Sequence, residues 1–250
     1  VPATDRAPVC VITGGGSGIG RAAGIALSAT GHHVVFCGRT AVTLQRSVDL
    51  AGSGDALVLD VTDETSVEEA FSGIAERYGR IDLLVNSAGV FGPQQPVTDT
   101  ELADWTQTMT VNVTGSFLCA RAAMRLMGTQ DPRGGRVINI GSVSAQVPRP
   151  HATSYTASKF AINGLTRALA LEGRDNDIAV GQIDVGNAAT AMTSGFGAAS
   201  LQADGSMRPE ARFDVGHVGA TIAHIATLPT DVNVPFLTIM ATRMPLLGRG

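Results

Sequence analysis

Short apolar runs alternate with longer amphipathic stretches from the N-terminal end of the chain to about residue 185. The runs at 9–13, 33–37, 56–60, 83–86, 136–141 and 178–183 are brief and almost uninterrupted by polar residues. That is the pattern of strands covered on both faces rather than one. Between them, helical spacing predicts helices at 18–30, 41–51, 64–78, 99–128 and 154–173, with another at 215–227 and a last strand at 236–240. Asp63 followed by Ser66 and Glu68, and the stretch 98–101, read as helix starts, while Gly31 and Gly79 read as stops. Strands alternating with helices predict an α/β fold: a Rossmann-type doubly wound parallel sheet of about seven strands with helices on both faces. The segment 188–212 breaks the alternation, being rich in Ala, Ser, Gly and Met, and is read as a loop or lid over a ligand.

Length and composition keep this picture to one unit. A chain of 250 residues, 44% hydrophobic and 16% charged, with 30 glycines, is globular and turn-rich, and residues 1–250 are read as a single domain. A net charge of -4 and 4% aromatics supply neither the basic stripe nor the stacking platform of a nucleic-acid binder. No stretch approaches the roughly 18 apolar residues that span a bilayer, so neither a membrane partner nor a secretory leader is expected. Cys10, Cys37 and Cys119 are odd in number and set in apolar surroundings, which suits reduced thiols in the cytoplasm. The histidines at 32, 33, 151, 217 and 224 lack metal-ligand spacing, so no metal site is expected.

Candidate chemistry concentrates in two places. The run TGGGSGIG, from Thr13 through Gly14, Gly16, Ser17, Gly18 and Ile19 to Gly20, follows the first strand and opens the first helix. Glycines let backbone approach a ligand closely, and free N–H groups at a helix start favour a pyrophosphate, so a dinucleotide is the expected occupant. At the end of the second strand, an acidic residue would bind the ribose hydroxyls of NAD, but Gly38 stands there and Arg39 follows. A guanidinium favours a 2′-phosphate, so NADP is the expected cofactor, with NAD the alternative. The second place is YTASK, where Lys159 follows Tyr155 by four residues and so shares a helix face with it. With Ser142 nearby, an ammonium beside a phenol makes an acid/base group for a carbonyl or alcohol.

The order Gly14, Gly18, Gly20 together with YTASK resembles the short-chain dehydrogenase/reductase (SDR) family, over about residues 8 to 242. NSAG, with Asn86, Ala88 and Gly89, is similar to that family's NNAG, and Asp60-Val61 matches its adenine-contacting position. Asn112 in VNVTG, Ser142 in GSVSA, and Tyr155 and Lys159 match its catalytic tetrad. The resemblance implies an oxidoreductase that interconverts a ketone or aldehyde and an alcohol. In it, Tyr155 donates or accepts the proton, Ser142 holds the reacting oxygen, Lys159 anchors the nicotinamide ribose and lowers the phenol pKa, and Asn112 holds a relay water. It also implies that Gly186 and Thr190 contact the cofactor, and that the chain forms a homodimer or homotetramer. Two departures stand out: Ser87 replaces the second Asn of NNAG, and Val185 replaces the usual proline before Gly186, which predicts a looser exit from the sheet. Residues 90–97, 143–153 and 188–212 are expected to wall the substrate site, with Val143, Val147, Met192, Phe196 and Met207 as apolar lining and Gln94, Gln146 and Asn187 as polar groups. The rival readings are a lyase or epimerase that uses the nicotinamide transiently, and a non-catalytic dinucleotide-binding sensor or scaffold.

Overall fold

The computed structural model describes residues 6–246. In chain order the first half runs β1 (Val9–Thr13), α1 (Gly18–Ala29), β2 (His33–Gly38), α2 (Ala41–Ala51), β3 (Asp55–Val58), α3 (Glu64–Tyr78) and β4 (Leu83–Asn86). The second half runs α4 (Leu102–Met109), a π-helical turn (Thr110–Thr114), α5 (Gly115–Thr129), β5 (Gly135–Ser142), α6 (Thr153–Glu172) and β6 (Ile178–Gly186). Four two-residue strands follow, β7 (Ala188–Ala189), β8 (Ser200–Leu201), β9 (Met207–Arg208) and β10 (Phe213–Asp214), before α7 (Gly216–Ala226) and β11 (Phe236–Met240). The main sheet is seven-stranded in the order β11-β6-β5-β4-β1-β2-β3, with every pairing parallel.

Strand alternation builds two apolar layers. Val11, Val35, Leu84, Val137 and Val180 face α3 and α5, where they meet Phe71, Cys119 and Met127. Their strand neighbours Ile12, Phe36, Val85, Ile138 and Ile183 face the opposite way and meet Leu27 of α1 and Ile222 of α7. The three cysteines are free and buried in these layers, and burial pushes each thiol up, Cys119 to about 12.

The sequence-based elements differ from the structure in three places. β3 ends at Val58 rather than residue 60, because Asp60 turns its carboxylate onto the N–H and hydroxyl of Thr62 (3.0 and 2.8 Å). The helix expected at 99–128 starts at Leu102 and is interrupted at 110–114, where Gly115 N–H reaches Thr110 O five residues back. The segment 188–212 is not a featureless loop: it carries a short 3₁₀ turn and the antiparallel pair β8–β9, and β7 is tied to β10. Val185, which keeps the N–H that proline lacks, lies in register between Ser142 of β5 and Ile239 of β11. Asp63 caps α3 as expected, accepting from the N–H groups of Thr65 and Ser66, and Gly79 stops it at φ 73°. Ala241, Met244 and Leu246 of the C-terminal tail pack on Val143 of their own chain; residues 247–250 of that tail and residues 1–5 lie outside the described residues.

Candidate active site

Parallel strands place their C-terminal ends on one edge, and the predicted glycine loop, the 86–92 loop and the 143–153 loop all emerge there. Thr13 pairs with Asn86, so the chains leaving β1 and β4 run side by side. Thr13 Oγ1 accepts from the N–H groups of Ser87 and Ala88, both at 3.1 Å. Gly14 holds φ 66°, and a Cβ there would lie 2.9 Å from Ala88 N; a Cβ on Gly20 would run into Gly14 O. The backbone is thus packed to a distance that only glycine allows. α1 begins with no side-chain cap from Ser17 and no acidic residue in its first turn, which leaves its N–H groups suited to an external anion.

A cavity of about 330 Å³ opens beside this loop. Gly14, Gly16, Ser17, Arg39, Asp60, Val61, Ala88 and Gly89 all line it, which brings eight of the sequence-predicted cofactor residues together. Arg39 is exposed at its rim and, among the described residues, forms no salt bridge. The Asp60 carboxyl is held below its usual range by the Thr62 N–H, against a smaller opposing effect of burial and with further help from the Thr62 hydroxyl and the charge of Arg39. Thr190 reaches across from the end of β6: its Cγ2 would touch a Cβ on Gly18 at 3.5 Å. Gly186 faces the other way, packed against Met240 and Met244, so it shapes the strand end and does not line the cavity. Arg21, which the sequence does not single out, supports the loop from beneath by donating to Gly16 O and to Ser47 Oγ (2.9 Å).

The four predicted catalytic residues converge from three elements. Ser142 ends β5, Asn112 occupies the π-helical turn, and Tyr155 and Lys159 lie one turn apart on α6; all four are buried. Lys159 Nζ donates to Ile140 O at 2.8 Å and lies 5.6 Å from the centre of the Tyr155 ring. Burial brings the Lys159 ammonium down to about 8, opposed by the Asp184 carboxylate. The phenol does not follow the expected direction. Burial pushes Tyr155 up; the Ser142 hydroxyl and the charge of Arg149 pull the other way, and Asp184 adds to the rise. Removal of water from the phenol outweighs the Ser142 hydroxyl and the charge of Arg149. Asn112 also does more than the resemblance implies: its Oδ1 accepts from Val90 N–H (2.8 Å), and its Nδ2 donates to Val90 O and Ser158 Oγ (both 2.9 Å). The side chain splints the 86–92 loop to α6.

Beside Tyr155 the segments expected to wall a substrate site make contacts that local sequence does not reveal. Phe91 stacks on Tyr155 with ring centres 4.4 Å apart, and Phe196 of the 188–212 segment meets Phe91 edge-on at 5.8 Å. Arg149 lies over Phe196 and forms a two-pronged ion pair with Glu210 (3.1 and 2.6 Å). Asn187, at φ 55°, accepts from Arg149 and donates to Glu210, which Gln202 also contacts at 3.0 Å. Burial alone would raise the Glu210 carboxyl, but these partners bring it down to about 2. Of the expected lining, Phe196 is buried here, Met192 and Met207 are exposed, Val147 packs against the C-terminal tail, and Asn187 belongs to the ion cluster.

A family model described as short chain dehydrogenase matches residues 8–200. The chain belongs to the short-chain dehydrogenase family. Among curated relatives of this SDR chain, a 3-oxoacyl-[acyl-carrier-protein] reductase of Synechocystis sp. is 32% identical over 239 residues, covering 91% of this chain and 92% of that protein. A 3beta-hydroxysteroid dehydrogenase of Mediterraneibacter gnavus is 36% identical over 168 residues, 66% of this chain and 60% of that enzyme. Among solved structures, a single-residue variant of actinorhodin polyketide ketoreductase with NADPH superposes with a TM-score of 0.83 at 26% identity, covering 95% of this chain and 97% of that one. A metagenomic short-chain oxidoreductase in complex with NADP gives 0.79 at 25%, covering 94% and 97%. Among the described residues, no helix of this SDR is long and apolar enough to cross a membrane.

Proposed function

We propose that this SDR is an NADP(H)-dependent oxidoreductase that interconverts a ketone or aldehyde with an alcohol. The observation that carries the reading is the placement of a buried Tyr155 phenol beside Ser142 and Lys159, at the same sheet edge as the glycine-walled cavity. The NADPH and NADP of the two superposed structures support the choice of cofactor.

The residues present fit a dinucleotide. The N–H groups at the start of α1 and the close-packed glycines accept a pyrophosphate, Asp60 and Val61 flank an adenine, and Arg39 offers its guanidinium to a 2′-phosphate. When bound, the nicotinamide supplies the hydride. Tyr155 holds its proton because burial disfavours the phenolate, and gives it to the carbonyl oxygen as negative charge builds there. Ser142 Oγ already accepts from Ser144 N–H at 3.1 Å, which fixes the hydroxyl so that its own proton is free to donate to the same oxygen. Lys159, 5.6 Å from the centre of the ring, stabilises the phenolate left after transfer and anchors the ribose. Exposed Leu102, Phe117, Phe160 and Leu171 on α4, α5 and α6 suit burial in a homo-oligomer.

The reading is tested by following nicotinamide absorbance across a panel of ketones and aldehydes. Turnover of at least one carbonyl with NADPH is expected; binding of NADPH without any reduction across the panel rejects it. Arg39 gives a second test. Arg39→Ser should weaken NADPH binding about tenfold or more, the worth of one charge-assisted contact, while NADH binding stays nearly constant. Fluorescence titration of both cofactors measures this, and wild-type NADH binding tenfold tighter than NADPH sinks the assignment.

A further inference from the structure

A line of buried polar side chains runs across the sheet beneath α6. Asn86 Nδ2 donates to Asn139 Oδ1 (3.0 Å), and Asn139 Nδ2 donates to Thr166 Oγ1 (2.9 Å). Thr166 shares its hydroxyl proton between Ile162 O (2.8 Å) and Gln182 Oε1 (2.9 Å). Gln182 Nε2 then donates to Asp184 Oδ1 at 2.6 Å, and Asp184 Oδ2 accepts from Gln146 Nε2 at 3.1 Å. Asp184 is only 3% exposed and ends the line.

Its position is defined by the strands. Asp184 pairs with Gly141, the residue before Ser142, and its Oδ1 occupies the space that a Cβ on Gly141 would need. The carboxylate therefore lies flat on β5 beside the catalytic edge, on the face that α6 covers. Two neutral amides hold it, and among the described residues no salt bridge reaches it. A serine or asparagine could end the same line without a buried charge, and burying a charge with only neutral partners is costly. The charge acts on both Tyr155 and Lys159.

We propose that Asp184 is a positioning residue for the proton step, its fixed negative charge keeping Tyr155 in the protonated, donating form and so biasing the site toward carbonyl reduction. The proposal rests on Tyr155 as proton donor. The charged groups acting on that phenol from the surrounding elements are Arg149 from the loop before α6, Lys159 from α6 itself and Asp184 from β6. Arg149 favours the phenolate and Asp184 opposes it. With the carboxylate neutralised, the phenolate forms more easily, so any step that needs the phenol fails at a lower pH.

Two readouts decide the matter, on wild type, Asp184→Asn and Asp184→Ser. The first is the alkaline limb of kcat for NADPH-dependent reduction; in both variants it should move to lower pH than in wild type. The second needs no substrate. The chain has two tyrosines, Tyr78 and Tyr155, so phenolate absorbance titrated against a Tyr155→Phe baseline reports Tyr155 alone. Its midpoint should fall in both Asp184 variants, in step with the limb. A limb and midpoint that stay in place, with activity merely reduced, overturn the proposal and leave Asp184 a structural end to the line. If no carbonyl is reduced, the functional reading fails, and the phenolate midpoint alone then sustains or overturns the role of Asp184.

Discussion

Tyr155→Phe should lower turnover about a thousandfold while leaving NADPH affinity within about twofold of wild type, because a positioned proton donor contributes two to four orders of magnitude. The substitution removes one oxygen and retains the ring, so the stack on Phe91 and the packing of α6 are preserved. The loss is therefore chemical rather than structural. Steady-state rates with the best carbonyl of the panel, combined with NADPH fluorescence titration, separate the two. Turnover within tenfold of wild type would show that another group gives the proton. An equal loss of cofactor affinity would show that the phenol acts in binding, since a step made only in the transition state leaves ground-state binding alone.

The second large effect belongs to the Arg149–Glu210 pair. Its side chains are 8% and 1% exposed, so Glu210→Gln leaves a guanidinium buried without its counter-charge, which costs about 3–5 kcal/mol. The cost falls on the segment between β6 and α7, which the pair fastens to the 143–153 loop. Limited proteolysis within 188–212 should accelerate by at least about a hundredfold, and the thermal midpoint should fall. Replacing both partners together, as Arg149→Met with Glu210→Leu, should recover most of the loss, since an apolar pair removes both charges. A double variant no more stable than Glu210→Gln alone contradicts this account. The pH sign follows from the carboxyl at about 2 in the folded chain against an ordinary 4.5. The contribution of Glu210 is full above about pH 4.5 and is lost as pH falls from there toward 2. Protease sensitivity of the segment should rise in that acid window in wild type and stay flat in the apolar double variant.

The fold is legible in the sequence because parallel strands buried on both faces leave uninterrupted apolar runs, and because the glycine loop, NSAG and YTASK each carry their chemistry within a few residues. Residues of the glycine loop and of NSAG line one cavity, while YTASK lies outside its lining. What local sequence conceals is contact at a distance. Arg149 and Glu210 are 61 residues apart and individually look like surface charges; Phe91 gives no sign that it will lie on Tyr155. The interruption at 110–114 holds Asn112, which is bonded to Val90 22 residues away, a contact that helical spacing alone does not show. The direction of the Tyr155 shift escapes sequence reading for a similar reason, since the Tyr–Lys spacing is visible there while the depth of burial is not. Asp184 does leave a signal. Gln182 and Asp184 fall two apart in an otherwise apolar strand, which puts both on one face, and a polar pair on a doubly covered strand needs buried partners.

The π-helical turn has the geometry of a phase joint. One residue more than an α-turn leaves α4 and α5 out of step by about 100° around their shared axis. Downstream, Leu118, Cys119, Ala123 and Met127 stay keyed into the sheet, while upstream α4 lies against α6 on a stripe of its own. The rod is continuous in outline but carries two separate alphabets of exposed and buried positions. Substitutions on the α4 stripe therefore need no matching change in the half that holds the sheet together.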